Sequence, residues 1–412
     1  MFIKQLYTDC LSESAYYIES EGAAAVIDPL RDVELYLELA GSRGASIQYI
    51  FETHFHADFV SGHLDLAAAS KAPIVYGPDT VASFPFLLAI DGQEFPLGKI
   101  RIRVLHTPGH TLESTCYLVI DEAGKPAAIF TGDTLFVGDV GRPDLSQQDG
   151  QHSTAEMAGM LYDSLKSKIL PLPDDIIIYP AHGAGSNCGK NLGNETYSSL
   201  GEQRESNYAL KAESRDAFIK AVTEGLPEPP QYFPINAQIN KEGYESLQHI
   251  LDKGLRPLSP AEVELMNLAD AILLDTRPPE VFTNGFVPGS INIGLDGRFA
   301  EWAGSLLPFD QPIVLITEKG REKETITRLA RVGFQMLEGY LDGAVEAWKA
   351  SGREIDLIVD IEADELAMDL PYDKNIVVLD VRREVEYADG HLKAAVNLPL
   401  NEMTDPEAYS HF

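Results

Sequence analysis

The chain has 412 residues, which is too long for one ordinary domain and enough for two or three. Hydrophobic residues make up 44% of it, which excludes wholesale disorder and predicts a packed core. With 32 basic against 64 acidic residues, the formal net charge is −32. Such a surface repels nucleic acid and anionic lipid, so we expect neither as a partner, and an anionic substrate would need a local basic spot.

The N-terminus and the cysteines indicate where the protein works. The N-terminal sequence lacks the basic run and apolar core of a signal peptide, and no apolar stretch reaches the ~18 residues of a membrane span. The three cysteines, Cys10, Cys116 and Cys188, are too few for a disulfide framework. We therefore expect a cytoplasmic protein, with Cys116 in the core and Cys10 buried or inert.

Residues 1–240 predict strands that alternate with helices and turns. The predicted strands are short, rich in β-branched residues and bounded by Gly, Pro or Asp. They lie in AAAVIDP, IQYIFETH, IRIRVLHTPGHT, STCYLVID, AAIFTGDTLF and DIIIYPAHGAG. One helix is predicted in TAEMAGMLYDSLKSKIL, capped by Ser153 or Thr154. Polar residues follow several of these strands, where sites on α/β scaffolds usually form.

The second half of the chain contains a repeat. A proline-rich stretch, Gly225–Gly243, predicts a linker that lies on a surface, and we place the domain junction at residues 241–258. A second α/β pattern follows at residues 259–356. A partial copy of it occupies residues 357–412, because LLDTRPPEVFTNGFVPGSINI matches VLDVRREVEYADGHLKAAVNL about 105 residues later.

Four segments of the first half carry candidate metal ligands. Each segment follows a predicted strand, and the first has the pattern H-x-H-x-D. Ligands of one metal must converge from separate elements onto one rigid point, which strand ends allow. The candidates are His54, His56 and Asp58, then His110, Asp133 and His182.

In this order and pattern, residues 1–240 resemble the metallo-β-lactamase superfamily, whose fold is a four-layered αββα sandwich. Hydrolases of that family use H-x-H-x-D-H, a distant His, a bridging Asp and a last His to hold two zinc ions. This sequence departs from the pattern at Phe59, where the family has a histidine for the second metal. A dinuclear site is therefore not expected, unless His63 substitutes; the other interpretation places His63 on a solvated helix face.

The residues left for a single metal are His54, His110 and Asp133. Two imidazoles and one carboxylate with open positions form the facial triad of non-haem Fe(II) oxygenases. The sequence is similar in this respect to the persulfide dioxygenases of the superfamily, which hold iron with the matching residues. The resemblance implies one Fe(II) per chain, with a thiol persulfide and O2 as substrates. It also implies that a second set of catalytic residues surrounds the ligands and orients them: His56, Asp58 and His182.

Two further motifs are candidates for substrate handling. In GDVGRPDL, Arg142 and Asp144 match a G-x-G-R-x-D run that lies near the thiol site in relatives. They either hold a carboxylate of the thiol or form a structural pair that ties down the loop. Cys188 lies six residues after His182, beside Lys190, and a cation there would favour a thiolate that carries sulfane sulfur.

The repeat resembles rhodanese domains, which start with a D-x-R strand and carry a catalytic cysteine in a C-x-x-G-x-R loop. In the first copy Thr317 stands in place of the cysteine, so we expect a pseudo-domain without sulfurtransferase activity. The second copy keeps Asp380 and Arg382 but stops at Phe412, before any such loop. Either the sequence is cut short or the loop has been lost; we expect the former, because half a domain leaves strand edges exposed.

The whole chain resembles bacterial fusions of a persulfide dioxygenase with rhodanese domains. The function implied is a mononuclear iron dioxygenase that converts a low-molecular-weight thiol persulfide to sulfite and thiol, and so detoxifies sulfide. One alternative is a thioester hydrolase of the glyoxalase II kind, which uses metal-bound hydroxide and is disfavoured by Phe59. The other is a sulfane-sulfur carrier or scaffold without turnover. We expect a homo-oligomer; the identity of the thiol stays open.

Overall fold

The computed structural model describes residues 1–145 and 152–403 of the chain. Its first part contains two six-stranded sheets, and in each sheet the neighbouring strands are also neighbours in sequence. The strands of the first sheet are β1 (Phe2–Thr8), β2 (Glu13–Ser20), β3 (Ala23–Ile27), β4 (Ser46–Phe51), β5 (Ile74–Tyr76) and β6 (Leu87–Leu88). Those of the second sheet are β7 (Glu94–Leu97), β8 (Ile100–His106), β9 (Thr115–Ile120), β10 (Pro126–Gly132), β11 (Ile177–Pro180) and β12 (Ser198–Ser199).

Helices cover the outer face of each sheet. They are α1 (Glu34–Ser42), α2 (His63–Ser70), α3 (Thr154–Ser164), α4 (Leu200–Ser206) and α5 (Arg215–Thr223). The apolar side chains of α1 and α2 pack on the first sheet, and those of α3 and α5 pack on the second. A third core, which includes Phe51 and Phe130, lies between the two sheets. The layers are therefore helix, sheet, sheet and helix, which confirms the predicted αββα sandwich.

The helix predicted after Ser153 is confirmed, with one difference at its end. Ser153 accepts a hydrogen bond from the backbone N–H of Glu156, whose side chain accepts from the N–H of Ser153, so the two form a capping box. The helix is α-helical to Ser164, and Leu165–Ile169 then continues it as a π-helical turn. Its apolar stripe, including Leu161 and Ile169, is buried against the second sheet.

The structure differs from the expected surface linker. Residues 225–258 contain α6 (Phe233–Glu242), α7 (Leu247–Gly254) and β13 (Pro257–Leu258), and β13 joins the sheet of the following domain. Tyr232 and Phe233 are each only 1% exposed. Proline therefore marks the start of a helix here rather than an open linker, because its fixed φ suits the first turn.

The second α/β pattern forms a five-stranded parallel sheet in the order β13-β17-β16-β14-β15. Its further strands are β14 (Ile272–Asp275), β15 (Ile291–Asn292), β16 (Ile313–Ile316) and β17 (Leu337–Leu341). Its helices are α8 (Pro260–Asn267), α9 (Pro279–Thr283), α10 (Phe299–Leu306), α11 (Glu322–Arg331) and α12 (Ala344–Ala350). Both faces of the sheet are buried, as expected for parallel strands. Thr317, at the end of β16, is buried, and its hydroxyl lies 3.3 Å from that of Thr325.

The two copies of the internal repeat make the same set of side-chain hydrogen bonds. In the first copy, Arg277 bonds to Asp275 and to the carbonyl of Gly285, while the amide of Asn292 donates to the Asp275 and Arg277 carbonyls. In the second copy, Arg382, Asp380, Gly390 and Asn397 make the same contacts, each 105 residues later. The described elements of that copy are α13 (Ala363–Asp369), β18 (Leu379–Asp380), α14 (Glu384–Asp389), β19 (Val396–Asn397) and a 3₁₀ turn (Leu400–Glu402).

The sandwich and the first repeat share one hydrophobic core. Phe59, Phe136 and Cys188 of the sandwich belong to the same buried cluster as Phe299 and Leu315 of the repeat. The repeat therefore packs directly behind the strand ends that carry the candidate ligands. In the parts of the chain that the structure describes, no helix combines the length and the apolarity needed to cross a bilayer.

Candidate metal centre

His54, His110 and Asp133 come together at one edge of the sandwich. They lie in the loops after β4, β8 and β10, and one ligand atom from each lies within 4.8 Å of the others. The Nε2 atoms of His54 and His110 are 3.9 and 3.4 Å from an Asp133 oxygen. The three side chains are at most 2% exposed. The structure thus brings together the three residues that the sequence predicted for one metal.

Hydrogen bonds fix how both imidazoles face this centre. The hydroxyl of Thr53 donates to Asp28, 2.8 Å away, so its oxygen accepts from Nδ1–H of His54 at 3.0 Å. Nδ1 of His110 lies 2.8 Å from the carbonyl oxygen of Arg142, to which it donates. In each ring Nε2 is left with its lone pair towards Asp133, which is the arrangement that a metal ligand requires.

A glycine permits this close approach. A Cβ on Gly141 would lie 1.9 Å from the carbonyl oxygen of Asp133 and 3.0 Å from Nδ1 of His110. The chain after β10 can therefore fold back over the ligands only with glycine at this position.

A second group of candidate ligands lies beside the first. His56, Asp58 and His182 also offer ligand atoms within 4.8 Å of one another. Nε2 of His182 is 3.5 Å from Asp58 and 3.4 Å from the second oxygen of Asp133, so the two groups meet at Asp133. Nε2 of His56 lies 3.2 Å from Asp28 and 3.6 Å from Glu52.

Phe59 and His63 do not supply a further ligand. Phe59 is fully buried, and its ring packs against the imidazole of His56. His63 is also fully buried, with Nδ1 3.9 Å from Glu52 and its ring against Phe84 and Tyr244. Neither interpretation of His63 is therefore correct: it is neither in the metal groups nor on a solvated helix face.

The electrostatics of the centre favour a cation. Burial is the main cause that lowers the pKa of His110 to about 4 and raises the pKa of Asp58 to about 6. Burial, then the neighbouring Asp58, also raises the pKa of Asp133 well above its usual range. Nε2 of His54 and both oxygens of Asp133 have no hydrogen-bond partner among the described residues. Buried carboxylates and neutral imidazoles without partners fit a metal ion, which would satisfy both.

Cys188 lies at the centre, but its environment differs from the prediction. Its thiol is within 4.8 Å of ligand atoms of Asp133 and His182. Burial, followed by the charges of Asp58 and Asp133, raises the pKa of the Cys188 thiol well above its usual range. The ammonium of Lys190 does not stabilise a thiolate, because it donates to the carbonyls of Ala221 and Glu224. The expectation that Lys190 favours a thiolate was wrong in this structure; the protein residues around Cys188 favour the neutral thiol.

Arg142 and Asp144 form an ion pair on the loop after β10. The Arg142 guanidinium contacts both oxygens of Asp144, at 2.7 and 2.8 Å, and donates to the carbonyls of Asn187 and Pro227. Nε, Nη1 and Nη2 of Arg142 are thus all engaged within the chain, and the side chain is buried. Of the two interpretations of this pair, the contacts match the structural one: the pair stabilises the loop that carries Cys188.

One side of the metal centre is lined by residues that the sequence did not predict. A cavity of about 10 Å³ beside Asp58 is lined by Leu11, Tyr232, Phe233 and Glu301 among others. These residues come from the β1–β2 turn, from the start of α6 and the residue before it, and from α10 of the repeat. Tyr232 and Glu301 are far from the motifs in sequence and carry no motif of their own, so only the packing of the domains reveals them. Asp28, by contrast, lies at the end of the predicted strand in AAAVIDP, so the sequence could have indicated it as a site residue.

Comparison with known proteins agrees with this architecture. A family model described as "Metallo-beta-lactamase superfamily" matches residues 8–182, and one described as "Rhodanese-like domain" matches residues 259–351 and 362–411. A hydroxyacylglutathione hydrolase from Tolumonas auensis is 32% identical over 55% of this chain and 79% of its own length. A probable hydroxyacylglutathione hydrolase from Schizosaccharomyces pombe is 30% identical, and the alignment spans 38% of this chain and 58% of that protein.

Two solved structures are similar to this chain over most of their own length. A metallo-beta-lactamase from Staphylococcus aureus is 34% identical, with a TM-score of 0.75 over 82% of this chain and 98% of that chain. ETHE1 from Myxococcus xanthus is 29% identical, with a TM-score of 0.50 over 58% of this chain and 98% of that chain. The chain belongs to the metallo-beta-lactamase superfamily, and its metallo-beta-lactamase domain is followed by rhodanese-like domains.

Proposed function

We propose that the protein is a mononuclear non-haem iron dioxygenase that acts on a low-molecular-weight thiol persulfide. The reaction is R–S–SH + O2 + H2O to R–SH + SO₃²⁻ + 2 H⁺. The S–S bond breaks, the terminal sulfur is oxidised to sulfite, and O2 is reduced. The observation that carries the proposal is the set of His54, His110 and Asp133 with Phe59 in place of a further ligand.

The similarity to ETHE1 supports this choice, since the first half also resembles persulfide dioxygenases in its motifs. One Fe(II), held by His54, His110 and Asp133, would supply the binding and activation of O2 and of the persulfide sulfur. Three protein ligands would leave positions on such a metal free for substrates.

The other residues of the centre orient the metal ligands, exclude water and accept protons. Thr53 and the Arg142 carbonyl hold the two imidazoles in the ligand tautomer. Phe59, Phe136 and Tyr232 are buried around the centre and exclude water from it. His56, Asp58 and His182 lie beside the metal ligands, where they can orient the ligands and accept the protons released with sulfite. Cys188 adds a thiol next to Asp133, where it can contact the substrate.

The second candidate function is thioester hydrolysis. Two observations favour it: the relatives named hydroxyacylglutathione hydrolase, and the group of His56, Asp58 and His182. A hydrolase of this kind would hold a second metal in that group to generate hydroxide. Phe59 removes one ligand from the second position, which is why the dioxygenase is preferred.

Metal content and oxygen uptake test the proposal together. We expect about one iron per chain in protein purified without added metal, and oxygen uptake with glutathione persulfide matched by sulfite. His110→Ala should abolish both the oxygen uptake and the formation of sulfite. His106→Ala is the matched control, because His106 lies at the end of the same strand and faces Leu112 and Asp79 instead. About two zinc ions with thioester hydrolysis would favour the second candidate, and a stable persulfide adduct without sulfite would favour a carrier.

A further inference from the structure

One tyrosine lies beside the metal centre, in the segment that connects the sandwich to the first repeat. Tyr232 is the residue before α6, and its side chain is only 1% exposed. It belongs to the hydrophobic core that also contains Phe59 and Cys188. With Asp58 and Glu301 it lines the cavity of about 10 Å³ next to the centre. A cavity of this size holds about one water-sized group.

The hydroxyl group of Tyr232 has no partner in the fold. Within residues 1–145 and 152–403, no side chain or backbone group makes a hydrogen bond to it. The hydroxyl of Tyr76 also lacks a partner but is wholly buried, whereas that of Tyr232 keeps some accessible surface. Since the side chain is otherwise enclosed and lines the cavity, this surface faces the cavity. A donor without a partner is costly to bury, so we expect a group in the cavity to accept from it.

A hydrogen-bond donor at this place offsets the acidic character of the cavity. The carboxylates of Asp58 and Glu301 line the cavity, and the amide of Asn187, which also lines it, donates to Glu301 at 3.4 Å. Burial, then the charges of Asp58 and Glu301, raises the pKa of the Tyr232 phenol well above its usual range. The phenol therefore stays neutral and keeps its O–H. An anionic group in the cavity would accept from it, and hydrogen bonds to charged groups are stronger than those between neutral groups.

The connecting segment and the first repeat together fix the ring of Tyr232. The ring lies edge-on to that of Phe233, with 5.2 Å between the centroids and 84° between the planes. On α10 of the repeat, a Cβ on Gly304 would lie 2.9 Å from two atoms of the Tyr232 ring. The ring thus fits against α10 because position 304 carries no side chain. The first repeat therefore helps to position a side chain at the metal centre, although Thr317 replaces its catalytic cysteine.

We propose that Tyr232 is a further catalytic residue, whose O–H donates a hydrogen bond to the terminal sulfur group of the persulfide while that group is oxidised. This assignment rests on the proposed function for the reaction. The terminal sulfur enters as a persulfide anion and leaves as sulfite, so the negative charge passes to its oxygens. The phenol keeps its proton, and no bond to Tyr232 forms or breaks, so the balance of the reaction is unchanged. A donor that the fold holds in place stabilises such charge without reorganisation.

Tyr232→Phe removes the hydroxyl and keeps the ring. Because the hydroxyl has no partner in the fold, the variant should unfold at the same urea concentration as the wild type. At unchanged iron content, kcat for sulfite formation from glutathione persulfide should fall about tenfold, as expected for the loss of one hydrogen bond to a charged group. If Tyr232 served packing alone, removal of the hydroxyl would leave kcat unchanged.

Binding of sulfite gives a readout that does not depend on turnover. Titration calorimetry with sulfite, in the absence of O2, measures the affinity of the protein as purified for the anionic product. Tyr232→Phe should raise Kd for sulfite about tenfold, which corresponds to about 1.4 kcal/mol.

Tyr340→Phe is the matched control for this variant. Tyr340 lies on β17 and packs against the same core, but it does not line the cavity. Its loss of a hydroxyl should therefore leave both Kd and kcat as in the wild type. Equal Kd values of the two variants, or absence of sulfite binding in the wild type, would overturn the proposal.

The result is separable from the proposed reaction. If Tyr232→Phe weakens sulfite binding but the wild type forms no sulfite from persulfide, the hydroxyl stands as a donor to an anion in the cavity and the dioxygenase function fails. If the wild type forms sulfite but Tyr232→Phe changes neither Kd nor kcat, the dioxygenase stands and the assignment of Tyr232 is overturned.

Discussion

The ring of Phe59 lies against the imidazole of His56, with 4.3 Å between the ring centroids and 34° between the planes. Phe59 is fully buried, in the core that the sandwich shares with the first repeat. The position that carries a metal ligand in hydrolases of this fold therefore serves packing here. The apolar side chain at this position packs one side of the site against the core that it shares with the first repeat.

Phe59→His should restore a second metal position at the expense of stability. The new imidazole would complete a set with Asp58 and His182, so we expect the bound metal to rise from about one to about two ions per chain. The free energy of unfolding of the metal-free protein should fall by about 3 kcal/mol, because a packed apolar ring is replaced by a buried polar one. Phe59→Leu should lose about 1 kcal/mol without binding more metal. Metal analysis and urea unfolding measure both effects; an unchanged number of metal ions per chain would contradict the role assigned to position 59.

Cys188 can act by holding sulfur or by positioning Asp133, and two variants separate these roles. Cys188→Ala removes both and should lower kcat by about tenfold or more at unchanged iron content. Cys188→Ser keeps a hydrogen-bond donor but cannot carry a persulfide. If sulfur transfer is the role, the serine variant should be as impaired as the alanine variant in sulfite formation under saturating persulfide. Near wild-type kcat in the serine variant would leave positioning as the role of this residue.

The sequence predicted that the candidate ligands would lie together, but it did not predict what surrounds them. His54, His110 and Asp133 each follow a strand with clear periodicity, so their convergence followed from strand geometry. Lys190 was misjudged because its ammonium reaches the end of α5, a contact that depends on tertiary folding. Tyr232 was assigned to a linker because proline was taken as a sign of open chain. The shared core could not be predicted, since periodicity indicates that a face is buried but not what covers it.

Arg142 offers a way to decide between the two interpretations of the G-x-G-R-x-D motif. Arg142→Lys keeps the charge but loses the fork that contacts both oxygens of Asp144 and two carbonyls. If the pair ties down the loop, the free energy of unfolding should fall by about 3 kcal/mol. If it holds a carboxylate of the thiol, KM for glutathione persulfide should rise while stability is kept. The contacts in the structure favour the first outcome, which urea unfolding and initial rates distinguish.

Arg31 links the sandwich to the first repeat. Its guanidinium is buried, lies 3.3 Å from Asp65, donates to the carbonyls of Ala330 and Glu245, and stacks 4.4 Å over the ring of Tyr244. Arg31→Ala leaves Asp65 buried without its cation. We expect the free energy of unfolding to fall by about 3 kcal/mol and trypsin to cleave faster between the two domains.

Arg43→Ala is the matched control for that variant, because Arg43 pairs with Glu19 at the surface. It should cost less than about 1 kcal/mol, since exposed ion pairs contribute little. Equal losses from the two variants would show that the contacts of Arg31 across the interface add nothing to stability. A large loss for Arg31→Ala alone would show that its contacts with Asp65 and with the Ala330 carbonyl stabilise the interface between the sandwich and the first repeat.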